Sequence, residues 1–189
     1  KPVFVDVEPE TLNIDLNDAA RKVNKNTVGI IPVHLFTQPA DMQRIMDLSR
    51  TYNLKVLEDA AEAWGMETKI DNVWKKAGTI GDIGIYSFFP TKTLGAYGDA
   101  GLMVTNDEEL YKKIKSYRVH GSSVKYYHDY IGYNSRLDTI QAAILRVKLK
   151  RTQEAIASRT RIAAHYTERL SQIPEVRIPK IDERNRAVY

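Results

Sequence analysis

The sequence contains no cysteine, and no apolar run in it approaches the length of a membrane-spanning helix. Without cysteine the chain can form neither disulfides nor thiolate metal sites. A spanning helix needs about 20 consecutive apolar residues, so we expect no membrane partner. Together these absences favour a cytoplasmic protein.

A strong net charge and a phosphate-binding loop are also missing. The 28 basic and 24 acidic residues leave a net charge of +4 and are interspersed along most of the chain. This pattern is typical of a soluble surface, and we predict no nucleic-acid partner. No Gly-x-x-x-x-Gly-Lys-Ser/Thr segment occurs, which excludes the common nucleotide-hydrolysing loop. His34, His120 and His128 lack the spacing of a metal triad, and we predict no metal site.

What is present is an alternation of strand-like and helix-like segments. With 43% hydrophobic content, 189 residues are enough for one substantial core or a large piece of a bigger domain. The order strand, helix, strand, helix, strand predicts a three-layer α/β/α architecture around a mostly parallel sheet. Residues 28–33 form a nearly continuous apolar run, which predicts a strand buried on both faces. The predicted strands are Val3–Val7, Val28–Val33, Leu54–Leu57, Ile83–Phe88 and Leu102–Thr105.

The helices and loops follow from caps, turn residues and apolar spacing. Asp71 and Asn72 predict a short hairpin, and residues 118–135 read as a long polar and aromatic loop without regular structure. The predicted helices are Asp18–Val23, one opened by Pro39, Glu108–Tyr117, one striped by Leu137, Ile140, Ile144 and Val147, and one striped by Ile156, Ile162, Tyr166 and Leu170.

Several chemically useful side chains follow two of the predicted strands. Asp59 and Ala61 come after one strand, and Ser87 and Lys92 come at the end of another. Ligands of parallel α/β sheets collect at the carboxyl ends of the strands. A lysine in a tight, glycine-rich corner is placed as a covalent partner of a cofactor would be. Pyridoxal phosphate needs such a lysine, an acid opposite its ring nitrogen and phosphate donors. Lys92, Asp59 and Ser87 can supply these, with Asn134 and Arg136 as further donors, while Ala61 can lie flat against one face of the ring.

Each residue alone has a plainer explanation. A strand-end aspartate is more often a helix cap or a magnesium ligand, and most loop lysines are surface lysines. Ser87 and Asn134 can simply bond backbone, and Trp64 is expected to pack rather than to stack on a ligand. The conjunction of these residues, in this order, favours the cofactor site.

Four motifs resemble the DegT/StrS family of sugar aminotransferases. They are Pro32-Val33-His34-Leu35-Phe36-Thr37-Gln38-Pro39-Ala40-Asp41-Met42, Glu58-Asp59-Ala60-Ala61-Glu62-Ala63, Ser87-Phe88-Phe89-Pro90-Thr91-Lys92-Thr93-Leu94-Gly95-Ala96-Tyr97-Gly98-Asp99 and Gly132-Tyr133-Asn134-Ser135-Arg136-Leu137-Asp138-Thr139-Ile140-Gln141-Ala142-Ala143. The resemblance covers essentially the whole chain.

The resemblance implies the large domain of the type I pyridoxal phosphate transferases. Lys92 would bond the cofactor, Asp59 would face the pyridine nitrogen, and Ser87 would bind the phosphate in its own subunit. Asn134 would reach the phosphate across the interface of a homodimer with a shared active site. The substrate would be a nucleotide-linked keto sugar, aminated with glutamate for amino-sugar or polysaccharide biosynthesis. We place the sugar contacts in the 118–135 loop and just after it, at Tyr127, His128 and Arg136.

Two departures from the family pattern bear on these expectations. Glu62 stands where the family more often has glutamine or histidine near the ring hydroxyl of the cofactor. The chain begins and ends in strand-like runs, so we expect a fragment with weak or no activity alone. We predict a cofactor-binding large domain at 1–149, truncated at its N-terminal side. We predict a helix at 150–189 that leads toward a small domain.

Two alternative functions remain open. One is a non-catalytic, regulatory or truncated homologue that only dimerises. The other is a deoxysugar dehydratase of the same family. That branch replaces the lysine with histidine, so Lys92 argues against it.

Overall fold

The computed structural model describes all 189 residues and contains five helices and nine strands. No helix in it combines the length and apolar character that crossing a bilayer requires. In chain order the elements are α1 (Leu16–Lys22), β1 (Gly29–Ile30), α2 (Met42–Tyr52), β2 (Lys55–Asp59), β3 (Glu67–Ile70), β4 (Val73–Lys76), β5 (Ile83–Ser87), β6 (Gly101–Val104), α3 (Glu108–Tyr117), β7 (Ser122–Val124), β8 (Tyr127–His128), α4 (Thr139–Leu149), α5 (Thr152–Leu170) and β9 (Asn185–Arg186).

The central sheet has four strands in the order β1-β2-β5-β6. β2 is parallel to both β1 and β5, whereas β6 is antiparallel to β5. The predicted α/β class with a mostly parallel sheet is therefore confirmed. Asp59 at the end of β2 lies opposite Ile85, so the carboxyl ends of β2 and β5 meet at one edge of the sheet.

Three buried clusters hold the helices and loops to this sheet. The first joins Leu16 of α1 and Ile45 of α2 to Val56 of β2. The second includes Ala60, Met66 and Val188, and the third packs the loop after β5 against α4. Val188 reaches its cluster because β9 pairs with β3, which brings the end of the chain back to the sheet region. The members of the third cluster are Phe88, Leu94, Ala96 and Leu145.

The first hairpin agrees with the sequence, but α1 begins at Leu16 and not at Asp18, and α2 begins at Met42, capped by Asp41, and not at Pro39. Asp15 caps α1 and Asp107 caps α3, each by accepting backbone N–H bonds. Asp71 and Asn72 both have positive φ, as a two-residue hairpin turn between β3 and β4 requires. Local chemistry therefore predicted the turn correctly, but it misplaced the starts of α1 and α2.

The predicted strand at residues 3–7 is wrong. Only Val7 pairs, through an isolated bridge to Ile14. The backbone N–H of Asp6 donates to the Asp18 carboxylate at 3.0 Å, and that of Val7 donates to the Asp6 carboxylate at 2.8 Å. These side-chain acceptors take donors that a strand would use for its ladder.

The predicted strand at 28–33 is shorter and more open than expected. Regular pairing covers only Gly29–Ile30, and Val33 adds one parallel bridge to Asp59. Val28 is 80% exposed and Ile31 is 61% exposed, so burial on both faces is wrong for this chain. An apolar run indicates that the side chains tend to be buried, but no residue of the structure packs over Val28 and Ile31 to bury them.

The 118–135 segment is not structureless. Strands β7 and β8 form a small hairpin in it, and Val119 bridges Asn134. The predicted apolar stripe of α4 is also wrong, because Ile140 and Val147 are exposed while Leu145 is buried. In α5, Ile162 and Tyr166 likewise face solvent.

Candidate active site

The ends of β2 and β5 present one carboxylate and one hydroxyl at the same sheet edge. Asp59 Oδ1 accepts the backbone N–H of Ala61 at 3.1 Å, and the N–H of Ala60 donates to Ile85 O at 2.9 Å. Ser87 Oγ accepts the N–H of Phe89 at 3.3 Å. Each side chain thus accepts a hydrogen bond from the turn that follows its own strand. The second carboxylate oxygen of Asp59 and the hydroxyl proton of Ser87 stay free to bind a ligand.

Lys92 lies in a compact loop that returns from β5 to β6. Its N–H donates to Phe89 O at 2.9 Å, Ala96 N donates to Phe88 O at 2.7 Å, and Phe88 N donates to Ala100 O at 2.8 Å. The loop is also held by its buried apolar residues, Phe88, Leu94 and Ala96, which pack against Leu145 of α4. The Lys92 side chain is consequently only 18% exposed.

The amino group of Lys92 forms an ion pair with Glu62. Glu62 follows Asp59 and Ala61 in the turn after β2, and its side chain is 44% exposed. The contact joins the turn after β2 to the loop after β5 across 30 positions of sequence. The structure therefore brings Asp59, Ala61, Glu62, Ser87 and Lys92 to one edge of the sheet.

Aromatic packing supports this edge from inside. The ring of Trp64 meets Tyr86 at 5.5 Å and Phe88 at 5.3 Å, both edge to face. The Tyr86 hydroxyl donates to Ala77 O at 2.5 Å. Burial, with a further contribution from the charge of Glu58, raises the pKa of Tyr86 to about 12. The prediction that Trp64 packs is confirmed.

Gly95 is required where the lysine loop folds back on itself. A Cβ at this position would lie 2.5 Å from Pro90 O and 2.8 Å from Phe89 O. We expect Gly95→Ala to lower the free energy of unfolding by about 2 kcal/mol, because backbone must shift to relieve the overlap. Urea unfolding measures this loss.

Gly98→Ala is the matched control for that experiment. Its Cβ would meet only the Gln141 side chain, 2.9 Å from Nε2 and 3.6 Å from Cδ, and this flexible side chain can move aside at the cost of at most its hydrogen bond from Tyr97 N. We expect a loss below about 1 kcal/mol. Equal losses in the two variants would show that close backbone packing at Gly95 does not hold the loop.

A buried polar pair stands directly behind Asp59. His34 Nε2 lies 2.9 Å from Glu58 Oε2, and neither side chain is exposed to solvent. Ala40 N donates to His34 Nδ1 at 3.1 Å, so Nε2 carries the proton and donates to the carboxylate. Glu58 also accepts the backbone N–H groups of Gly78 at 2.7 Å and of Ile80 and Gly81 at 2.6 Å.

This pair lies next to Asp59 at the end of β2. Burial opposes ionisation of Glu58, but hydrogen bonds from His34, Gly81 and Gly78 outweigh it and lower its pKa below the ordinary 4.5. The His34 backbone N–H donates to Asp59 O at 2.9 Å. The sequence predicted only that His34 is not a metal ligand, and it predicted no role for Glu58. The available signal was a glutamate at an inward position of an apolar strand.

Gln141, a third residue whose role the sequence did not reveal, holds the far side of the lysine loop. Its Oε1 accepts the backbone N–H of Tyr97 at 2.9 Å, which links α4 to the segment just after Lys92. The sequence shows Gln141 inside a motif but does not show what it touches 44 positions away.

The remaining predicted site residues lie in a separate segment that packs on α3. Tyr133 N donates to Tyr117 O at 2.7 Å, and Asn134 Oδ1 accepts from Arg136 Nε at 3.2 Å. Tyr127 and His128 form β8, and His128 Nδ1 lies 3.0 Å from the carbonyl oxygen of His120. Asn134, Arg136, Tyr127 and His128 are exposed, and none of their hydrogen bonds reaches the Lys92 edge.

The donor set at the strand ends fits pyridoxal phosphate. An amine, a carboxylate and a hydroxyl meet at one sheet edge, and a small alanine leaves room beside the carboxylate. These are the groups that the cofactor requires for its aldehyde, ring nitrogen and phosphate. The exposed carboxylate of Glu62 adds negative charge next to the amine.

The chain matches the DegT/DnrJ/EryC1/StrS aminotransferase family over residues 1–189. It is 49% identical over 172 residues to the pleiotropic regulatory protein of Geobacillus stearothermophilus, covering 91% of this chain and 45% of that protein. It is 41% identical over 189 residues to the UDP-2-acetamido-2-deoxy-3-oxo-D-glucuronate aminotransferase of Pseudomonas aeruginosa, covering 100% of this chain and 51% of that protein.

Solved structures agree with these sequence relatives. S. venezuelae DesV, in complex with a ketimine intermediate, superposes with a TM-score of 0.92 at 33% identity, covering 99% of this chain and 49% of that chain. The E. coli GDP-4-keto-6-deoxy-D-mannose-3-dehydratase with bound hydrated PLP superposes at 0.80 and 27% identity, covering 90% and 48% of the two chains.

The fold is that of the large domain of the type I pyridoxal phosphate transferases. The chain spans about half the length of the curated relatives it matches. It belongs to the DegT/DnrJ/EryC1/StrS aminotransferase family.

Proposed function

We propose that the whole protein transfers an amino group from glutamate to a nucleotide-linked keto sugar, with pyridoxal phosphate as cofactor. The observation that carries this proposal is the position of Lys92, which pairs with Glu62 at the sheet edge where β2 ends in Asp59 and β5 ends in Ser87. The P. aeruginosa relative supports the substrate class, since its name describes an aminotransferase acting on a UDP-linked oxo sugar.

The residues of this chain would divide the work as follows. Lys92 would bond the cofactor in the resting protein and, once the substrate amine has displaced it, its free Nζ would move a proton at the substrate α-carbon. Asp59 would hold a proton on the ring nitrogen, Ser87 would donate to the phosphate, and Ala61 would pack on the ring. When bound, the cofactor withdraws electrons from the carbon that carries the amine. Glu62, which pairs with Lys92, would stand near the ring hydroxyl.

The exposed segment between α3 and α4 supplies the remaining proposed roles. Asn134 binds the phosphate of the cofactor that is held in the active site of a partner subunit. The active protein is then a homodimer with shared sites. Tyr127, His128 and Arg136 contact the sugar. A cytoplasmic location and a place in amino-sugar or polysaccharide biosynthesis follow from a nucleotide-linked substrate.

The assay for this function supplies the whole protein with pyridoxal phosphate, glutamate and UDP-, dTDP- and GDP-linked keto sugars in turn. Mass spectrometry then detects the amino sugar. We expect one nucleotide sugar to be converted with stoichiometric formation of 2-oxoglutarate. Absence of an amino sugar with every nucleotide, in protein that carries bound cofactor, contradicts the proposed reaction.

Asp59→Asn tests the charge at the end of β2. The amide oxygen can still accept the Ala61 N–H, so the turn is kept while the negative charge is lost. We expect cofactor still bonded to Lys92 but a transfer rate reduced by about a hundredfold, because charge stabilisation at the ring nitrogen is removed. Asp107→Asn, at the cap of α3, keeps a good capping residue and should leave the rate unchanged. Undiminished turnover in Asp59→Asn rejects the assigned role.

A non-catalytic, regulatory role is the second candidate. The Geobacillus stearothermophilus relative, which is named a pleiotropic regulatory protein, favours it. A regulatory homologue need not bond pyridoxal phosphate, so lack of cofactor bonding at Lys92 would favour this reading. The dehydratase neighbour shares the fold. The family resemblance implies a histidine in that branch where this chain has Lys92, which favours amino transfer.

A further inference from the structure

Lys92 and Glu62 are each other's only side-chain partners. The Lys92 amino group makes no hydrogen bond except to Glu62 Oε1, and the Glu62 carboxylate makes no other hydrogen bond. The neighbouring carboxylate, Asp59, instead accepts the Ala61 N–H. Two acids therefore stand three positions apart in one turn, and the lysine pairs with the second.

We propose that Glu62 is the resting partner of Lys92. It holds the amino group at the strand ends whenever no cofactor is bonded to it, and it releases the amino group when cofactor bonds. This inference rests on the proposed function, because it assigns Lys92 to pyridoxal phosphate. It gives Glu62 a positioning role that a neutral glutamine, one of the two residues that the resemblance makes more usual at this position, does not fill.

The physical basis is competition for one nitrogen. A group that binds Lys92 Nζ only in the cofactor-free state stabilises that state and weakens apparent cofactor binding. The Lys92 side chain is mostly buried and the Glu62 side chain is exposed, so solvent screens the ion pair. We therefore expect only a modest effect on cofactor affinity. Glu62→Gln keeps the shape and a hydrogen-bonding oxygen but removes the charge, and so isolates the pair.

The test measures how fast Lys92 reacts with an acetyl N-hydroxysuccinimide ester in whole protein freed of cofactor by hydroxylamine. Peptide mass spectrometry follows Lys92 and Lys55 in the same sample. Lys55 pairs with Asp82 at 3.0 Å at the opposite end of β2, so it is an internal control. We expect Lys92 to react about threefold faster in Glu62→Gln, with Lys55 unchanged. Glu62→Asp, which keeps the charge on a shorter stem, should fall between.

A second measurement titrates the same proteins with pyridoxal phosphate and traps the bonded fraction with borohydride. Glu62→Gln should half-saturate at about threefold lower cofactor concentration, since the competing carboxylate is gone. If Lys92 is acetylated equally fast in Glu62→Gln and in the parent, or if Lys55 changes as much as Lys92, the proposed pairing is overturned. This holds even if borohydride traps cofactor on Lys92. Absence of trapping on Lys92 in the parent overturns the proposed function and, with it, the competition.

Discussion

Lys92→Ala is expected to abolish amino transfer, with a loss of more than about 10³-fold in turnover. The side chain supplies both the covalent bond to the cofactor and the group that moves the substrate proton, and no second lysine lies in the described loop between β5 and β6. The visible absorption of bonded cofactor should vanish together with the activity. Initial rates of 2-oxoglutarate formation and an absorption spectrum of the same sample measure both effects.

Lys55→Ala is the control for that loss. Lys55 is at the amino end of β2, its side chain is 78% exposed, and its partner Asp82 keeps a backbone hydrogen bond from Val56. Its removal should leave turnover and absorption intact. A Lys92→Ala protein that still turns over would require another residue to bond the cofactor.

Glu58→Gln is expected to lower the free energy of unfolding by about 3 kcal/mol. Oε1 accepts two backbone N–H groups, and Oε2 accepts one more together with His34 Nε2. Whichever way a glutamine amide is turned, its NH₂ group faces two donors, and the hydrogen bonds on that side are lost in a buried place. Urea unfolding followed by circular dichroism measures the change.

Glu67→Gln is the control for an ion pair that solvent reaches. Glu67 pairs with Arg186 between β3 and β9, and the two side chains are 25% and 57% exposed. Its loss should cost less than about 1 kcal/mol. If Glu58→Gln lowers the free energy of unfolding no more than Glu67→Gln does, the buried pair does not hold the end of β2. The position of Asp59 must then be fixed by the sheet alone.

The strand-end residues were predictable because they depend on short-range order. Strands β2 and β5 are strongly patterned, and parallel strands bring their carboxyl ends to one edge, so Asp59, Ser87 and Lys92 were expected to be neighbours. Asn134 and Arg136 could not be placed in the same way. They lie in a separate hairpin-bearing segment, and their contacts in this structure are with each other and with the backbone around Arg118 and Val119.

What the sequence could not show is which side chains meet across long separations. The His34–Glu58 pair spans 24 positions and the Lys92–Glu62 pair spans 30. No local pattern encodes such partners, and Glu62 was therefore known only as a departure from the family. The strand predicted at 3–7 failed for a related reason, because Asp18 takes a backbone donor of Asp6 from twelve positions away.

The identity of the cofactor-bonding residue can be measured directly in the whole protein. Pyridoxal phosphate is added, the bond is reduced with sodium borohydride, and the modified peptide is identified by mass spectrometry. A single reduced pyridoxyl phosphate group on Lys92 is the expected result, lost in Lys92→Ala and kept in Lys55→Ala. Label on a different lysine, or no label at all, would contradict the assignment of this strand-end lysine as the centre of the site.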